Sequence, residues 1–305
     1  MKEQTILIAG PTASGKSALA LALAERCGGV IVNADSMQVY RELRILTARP
    51  SLEEEQRVPH ALYGFVPASD AYSVGRYMAD SARVIATARA ERRTPVVVGG
   101  TGLYFKALLE GLSPIPAVPE AIRAHWRAEA RRVGAAALHR ALAERDPQTA
   151  ALLRPTDSQR IVRALEVFEA TRRPLADWQR IPGEPLLAAE TAIRLVISPD
   201  RTELYRRCET RFQGMLEQGA LGEVATLRAL ALDPKLPAMN ALGVAPLLAY
   251  LAGEVTLEAA ATQAKADTRR YAKRQLTWLR RNMIAWRWLD AQEMERCRRG
   301  EFAFI

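Results

Sequence analysis

The sequence holds few of the residues that build disulfide frameworks or zinc sites. Its 305 residues include three cysteines and three histidines. Cys27, Cys208 and Cys297 are scattered with no Cys-x-x-Cys pair, and His60, His125 and His139 are equally dispersed. Neither a disulfide scaffold nor a structural zinc is indicated, and the three thiols read as structural. Long hydrophobic runs are missing as well. No stretch approaches the roughly 20 apolar residues of a membrane span, so a cytoplasmic protein with no membrane partner is expected. Lysine is scarce too, at six of 43 basic residues. An arginine bias of that kind fills any solvated helix face, so a basic run is weaker evidence for nucleic acid here, although a net charge of +9 still suggests a polyanionic partner. The apolar content of 49% is enough for a sizeable core. No apolar stripe suggests a dimer, and a monomer is expected.

Against that background one lysine stands out. Gly10, Pro11, Thr12, Ala13, Ser14, Gly15, Lys16 and Ser17 fit the phosphate-loop pattern of Gly, four residues, Gly-Lys-Ser. The preceding TILIA reads as a buried strand, and SALALALAER from Ser17 to Arg26 as a strong helix former. Strand, glycine-rich turn and helix in that order are the context the motif needs. Backbone N–H groups of residues 12–16 can then point at phosphate oxygens, Lys16 adds a compact charge, and the Ser17 hydroxyl can hold Mg²⁺. Nucleotide or ATP binding is one use of such a loop.

Two further apolar runs end near it. GVIVNAD closes on Asp35, and TPVVVGG runs into Gly99, Gly100 and Thr101. An ATPase or GTPase is expected to close such a strand with a carboxylate that positions Mg²⁺ and water. Here VVV leads into Gly-Gly-Thr-Gly, where a hydroxyl between glycines suits a pyrophosphate oxygen better than a polarised water. Asp35 is the one acid at the end of a buried strand in this half; it reads either as a chemical group or as the cap of the following turn.

The middle of the chain changes character. From Pro116 to Pro182 no strand-like run occurs, and 12 arginines face 8 acids between Glu120 and Arg180. This reads as a small helical domain, 116–182, inserted into an α/β core made of 1–115 and 183–305. In PTDSQRIVRALEVFEA, Asp157 or Ser158 can cap a helix whose buried stripe is Ile161, Leu165 and Phe168, with Gln159, Arg160 and Arg163 in its first turn. A second helix is expected within 265–287, with eight basic residues and one acid. Arg270, Arg274 and Arg281 share one stripe, Arg269, Lys273 and Arg280 the next, and Ala272, Leu276, Leu279 and Met283 the buried side. Tyr271 and Trp278 could pack on the core or stack on a base.

The segments GPTASGKS, NADSMQVYR, PHALYGFVPASDAYSVGRY, VGGTGLYFKALLEGLSPIP, DSQRIVRALEVF and TRRYAKRQLTWLRR occur in the order and spacing of the tRNA dimethylallyltransferases, and the chain resembles that family over residues 5 to about 290. The resemblance implies a P-loop NTPase-like core, a parallel sheet flanked by helices with an inserted all-helical domain, and transfer of a dimethylallyl group from dimethylallyl diphosphate. The acceptor would be N6 of the adenine 3′-adjacent to the anticodon, in tRNAs reading codons that begin with U. It further implies Asp35 as the base, Thr101 as a hydroxyl near the bridging oxygen, Arg211 as a diphosphate contact and Mg²⁺ as cofactor. The anticodon stem-loop would meet Asp35, Ser36, Met37, Gln38, Thr101, Arg123, Gln159, Arg160, Ile161, Val162, Arg163, Arg270, Lys273, Arg274 and Arg281. A small-molecule kinase and a non-catalytic RNA-binding P-loop protein are the rival readings.

The chain departs from the family pattern in places. Where the family runs Gly-x-Asp-Ile-Gly-Thr-Ala-Lys-Pro, this sequence has Glu42 to Pro50 as ELRILTARP, so Glu42 and Leu46 replace glycines at positions that could need positive φ, and Arg49 replaces lysine. PHALYGF lacks the second histidine and the aspartate of Pro-His-His-Leu-Ile-Asp, leaving Ala61 and Gly64, and Val244 follows Gly243 where an aromatic is common.

Overall fold

The structure, a computed structural model, describes residues 4–301. The chain divides into two compact units, one holding the residues up to Leu109 together with those from Leu186 onward, the other Glu110–Pro185. In chain order the first unit starts with β1 (Thr5–Ala9), α1 (Lys16–Cys27), β2 (Val30–Asn33), α2 (Leu52–Arg57), β3 (His60–Ala61), α3 (Val74–Ala90), β4 (Pro95–Gly99) and α4 (Gly102–Glu110). The second unit contributes α5 (Glu120–Arg145), α6 (Pro147–Ala150), α7 (Ser158–Thr171) and α8 (Leu175–Gln179). The first unit resumes with β5 (Ala192–Ile197), α9 (Arg201–Glu217), α10 (Ala220–Ala229), α11 (Val244–Leu251), α12 (Leu257–Asn282), β6 (Arg287–Leu289) and α13 (Ala291–Arg299).

Six parallel strands lie in the order β3-β2-β4-β1-β5-β6. Side chains alternate across the sheet, and here both sides are covered. Ile6, Ile8, Val96, Val98, Leu195 and Ile197 pack with Leu19 and Leu23 of α1, while Leu7, Val32, Val97 and Val196 pack with Phe105, Leu108 and Leu279. That double burial is why these strands read as continuous apolar runs. β2 ends earlier than the run to Asp35 implied. Asn33 accepts the Asp35 N–H at 2.8 Å and donates to the Asp35 and Leu62 carbonyls, which turns the chain out of the sheet.

The helical unit has its own core, with Trp126, Leu138 and Leu142 of α5 against Ile161, Ala164 and Leu165 of α7. α5 is interrupted at Gly134, whose φ of 76° and ψ of 171° break the helical path. Asp157 is the cap of α7, accepting the Arg160 N–H. Phe168, expected in the buried stripe, is half-buried. The basic helix α12 ends at Asn282, so Arg287 sits on the edge strand β6 rather than on that helix. Among the described residues no helix is long and apolar enough to cross a membrane.

The loop from Glu42 to Pro50 corrects the positive-φ expectation. Neither Glu42 nor Leu46 is among the residues with positive φ; in this loop that conformation falls on Ala48, at 50°. Leu46 is instead a core residue, 5% exposed, and Glu42 accepts the Ala68 N–H at 2.8 Å. The loop is held by α10, where the Glu223 carboxylate accepts the N–H groups of Arg44, Ile45 and Leu46 at 2.7, 2.6 and 3.0 Å. Arg49 fills the space above Gly64, where an added Cβ would stand 2.0 Å from its guanidinium.

Leu46→Gly therefore removes a buried side chain and relieves no backbone strain, and should cost about 3 kcal/mol of stability. Glu223→Gln leaves an oxygen for the Arg44 and Ile45 N–H groups but turns an NH₂ group toward the Leu46 N–H, and should cost about 2 kcal/mol. Urea unfolding of both variants checks these values; a stabilised Leu46→Gly would mean that the loop does need glycine.

Candidate active site

The phosphate loop leaves β1 and curls through two left-handed residues, Ala13 at φ 61° and Gly15 at φ 90°, before α1 begins without a side-chain cap. Uncapped N–H groups at the positive end of a helix suit an anion. Ser17 is exposed in the first turn, and Lys16 is half-buried with its ammonium donating to the Pro11 carbonyl at 3.2 Å. Two of the expected donors are already used. The Thr12 N–H points to the side chain of Gln275 at 2.9 Å instead of being free for phosphate, because Gln275 of α12 occupies that side of the loop. Ser14 N–H likewise turns inward, to the Pro11 carbonyl.

Arg211 of α9 reaches the loop, its guanidinium donating to the Thr12 hydroxyl at 2.6 Å. Burial lowers the pKa of Lys16 from 10.5 to about 8, with Asp35 pulling it back up and Arg211 pushing it further down. Burial also lowers that of Arg211, against the raising influence of Cys208 and Asp35. Lys16 and Arg211 thus both reach the loop, through the Pro11 carbonyl and the Thr12 hydroxyl, an arrangement able to receive a polyanion. Burial pushes the thiols of Cys27, Cys208 and Cys297 up, in line with structural roles.

Asp35 lies beyond the end of β2, and one oxygen, Oδ1, accepts the Met37 N–H at 2.9 Å. It does cap the turn. Among the described residues its other oxygen accepts no hydrogen bond, so the cap leaves half of the carboxylate available. Burial pushes up the phenols of Tyr63, Tyr104 and Tyr271, and the negative charge of Asp35 adds to each. Thr101 follows the end of β4. Its N–H donates to the Ala34 carbonyl at 3.1 Å, and its hydroxyl accepts the Ser36 N–H at 2.9 Å while pointing toward Ser36 Oγ at 3.3 Å. Gln38 donates to the Thr47 and Ala48 carbonyls, at 2.9 Å each, which ties the 35–38 segment to the loop held by Glu223. Residue 99 has to be glycine for this arrangement, since a Cβ there would lie 2.0 Å from the Ala34 oxygen.

The exposed face of α12 gathers Arg270, Lys273, Arg274 and Arg281 around a groove of about 490 Å³, completed by Thr277 and Trp278. Trp278 packs over Gly102 and Tyr271 lies under the Arg274 guanidinium, so both rings are half-buried at the groove's edge. The remaining basic candidates belong to the helical unit. Arg123 lies 3.9 Å from Glu120, which also pairs with Arg127, and Arg127 shares Glu166 with Arg163. Gln159 and Arg160 are exposed, and Val162 is half-buried. Ile161 is a correction: its side chain is fully buried in the core of this unit and cannot meet RNA.

Gln275, Tyr63 and Tyr104 were not singled out from the sequence, whereas Tyr271 was, as a ring that packs or stacks. A signal for Gln275 was present, because an amide on the buried stripe with Ala272, Leu276 and Leu279 is out of place unless it has partners. No such signal exists for Tyr63 and Tyr104. Among the described residues no three His, Cys, Asp or Glu side chains are grouped to hold a metal ion.

The IPP transferase family model matches residues 38–282, and an isopentenyl transferase model matches residues 3–62. The tRNA dimethylallyltransferase of Parvibaculum lavamentivorans is 57% identical over 302 residues, covering 99% of this chain and 96% of its own. That of Bradyrhizobium sp. is 56% identical, covering 95% and 94%. Among solved structures, the full-length tRNA isopentenylpyrophosphate transferase of Bacillus halodurans is 33% identical with a TM-score of 0.67, over 98% of this chain and 99% of that one. A eukaryotic dimethylallyltransferase acting on tRNA is 27% identical with a TM-score of 0.81, over 96% and 75%. With a phosphate loop, a strand-end carboxylate and these relatives along nearly its whole length, the chain belongs to the tRNA dimethylallyltransferase family, the IPP transferases.

Proposed function

We propose that this chain transfers the dimethylallyl group of dimethylallyl diphosphate to N6 of the adenine 3′-adjacent to the anticodon, in tRNAs reading codons that begin with U. The observation that carries the reading is the run of bonds joining the loop to the carboxylate: Arg211 donates to the Thr12 hydroxyl at 2.6 Å, Gln275 ties Thr12 to Gly100, and Thr101 holds Ser36 next to Asp35, whose second oxygen is idle. The exocyclic amine of adenine is a weak nucleophile because its lone pair is delocalised into the ring. As the new N–C bond forms and the C–O bond to diphosphate breaks, N6 becomes positive and must lose a proton; Asp35 Oδ2 accepts it. Charge meanwhile accumulates on the leaving diphosphate, where Lys16, Arg211 and the N–H groups opening α1 stabilise it.

The Ser17 hydroxyl, exposed at that helix end, is the protein group that would hold Mg²⁺. Such an ion would supply positive charge to the departing diphosphate. Thr101 reaches the reaction through Ser36, whose backbone N–H it holds, and its hydroxyl turns to the diphosphate when the substrate is present. Ser36, Met37 and Gln38 line the path of the flipped adenine, whose unstacking costs a few kcal/mol or so and is offset by single-strand contacts. Those contacts come from Arg270, Lys273, Arg274 and Arg281 on α12 and from Arg123, Gln159, Arg160, Val162 and Arg163 on the helical unit, which serves tRNA binding. The protein acts as a cytoplasmic monomer.

Incubation with unmodified tRNA and labelled dimethylallyl diphosphate tests the reading. Label should enter the RNA without ATP, whereas ATP turnover with no label transfer would favour a kinase or ATPase. Asp35→Asn keeps the oxygen that caps the turn but cannot take a proton, so kcat should fall about 100-fold or more with tRNA affinity nearly unchanged. Diphosphate binding should weaken as pH rises through about 8, where the empty site loses the Lys16 proton. The same depressed value means that the unfolded chain binds the extra proton between about 8 and 10.5, so Lys16 lets the ligand-free protein gain stability across that window. Titration calorimetry and urea unfolding against pH read the two effects. Finally, Arg274→Ala and Arg281→Ala should each reduce the slope of log affinity against log salt for an anticodon stem-loop by about 0.7, measured by fluorescence anisotropy.

A further inference from the structure

We infer that Gln275 is a positioning residue for the transfer reaction, locking the phosphate loop to the Gly100–Thr101 turn so that the diphosphate seat and the segment bearing Asp35 keep one fixed spacing. The inference rests on the proposed use of the loop as a diphosphate cradle. Gln275 is 6% exposed and lies between Ala272 and Leu279 on the buried stripe of α12. A primary amide in such a place is costly unless both of its ends are satisfied. Both are. Its oxygen accepts the Thr12 N–H at 2.9 Å, and its nitrogen donates to the Gly100 carbonyl at 3.0 Å. The first partner can only donate and the second can only accept, so the amide has a single orientation; flipping it would set N–H against N–H and oxygen against oxygen.

The two partners belong to different parts of the site. Thr12 follows β1 in the phosphate loop, and Gly100 follows β4 one residue before Thr101. On one side the grip on Thr12 is doubled by Arg211 at the hydroxyl, while Ala13 packs with Leu204, Cys208, Ala272 and Leu276 of α9 and α12. On the other side a short chain of bonds runs from Gly100 to the base: Thr101 N–H to Ala34, Thr101 Oγ1 to Ser36, and Met37 N–H to Asp35. Gln275 is the side chain that joins the two. It also accounts for glycine at position 100, where a Cβ would stand 2.2 Å from the Gln275 nitrogen. Reacting groups held at fixed separation gain rate because the ordering is done before the reaction begins.

Three measurements decide the matter. Gln275→Met keeps the size of the side chain and removes both hydrogen bonds, and Gly100→Ala displaces the amide without altering Gln275. Each should weaken pyrophosphate binding about tenfold and lower kcat about tenfold, while KM for tRNA stays within twofold of wild type. A purely structural residue would lower the melting temperature and leave that split unmoved, so both variants retaining wild-type kcat and pyrophosphate affinity would overturn the inference. Amide hydrogen exchange of the unaltered, ligand-free protein supplies a test that does not depend on any variant folding. The Thr12 N–H should exchange at least tenfold more slowly than that of Ala13, and equal rates would also overturn the lock. Wild-type protein that fails to bind pyrophosphate, or Lys16→Ala protein that binds it unchanged, would instead sink the diphosphate cradle and leave the lock to be judged by the exchange rates.

Discussion

The contact of Gly99 with the Ala34 carbonyl sets the separation on which the site depends. β4 lies between β1 and β2 in the sheet, so its C-terminal end is flanked by the phosphate loop and the turn bearing Asp35. A side chain at residue 99 would push that turn away and break the Thr101 N–H bond to Ala34. With no Cβ there, the three strand ends close up and backbone groups do the joining. Charged side chains add to this frame: Lys16 donates to the Pro11 carbonyl, Arg211 to the Thr12 hydroxyl, and Asp35 accepts the Met37 N–H.

Much of this was legible in the amino-acid order. A buried strand, a glycine-rich turn and a helix former in sequence placed the phosphate loop, because each has a strong local preference and they agree. The buried side of α12 was readable from its period, since Ala272, Leu276, Leu279 and Met283 recur every three to four residues and all are buried. What could not be read depends on partners far away in the chain. The loop from Glu42 to Pro50 looked strained by the loss of two glycines, yet it is anchored by Glu223, nearly 180 residues downstream. The two opposed readings of Asp35 proved compatible, because a carboxylate has two oxygens and only one is needed for the turn. Ile161 was misplaced for the opposite reason: a first-turn position on a basic helix can still face the core.

α12 has two jobs written on opposite sides. Its exposed side presents cations over a groove, while its buried side pads and grips the loop next to β1. A helix that bears both cannot rotate or slide without moving the basic face and the phosphate loop together. The arginine excess of this chain is therefore uneven in meaning. Several arginines sit in i, i+3 or i, i+4 pairs with acids on solvated faces, such as Arg132 with Glu129 and Arg206 with Glu203, and even Arg270 of the α12 groove pairs with Asp267 in this way. Those of the α12 groove are set apart by sharing a concave surface.

Arg49 and Gly64 carry a constraint on how this sequence can have diverged. The family pattern has a lysine and an aspartate at these two places, and here a longer cation occupies the volume that any side chain at residue 64 would need. An aspartate at residue 64 would need the end of that flexible side chain to swing aside, and its carboxylate could then pair with the displaced guanidinium, so the two positions have to be read together.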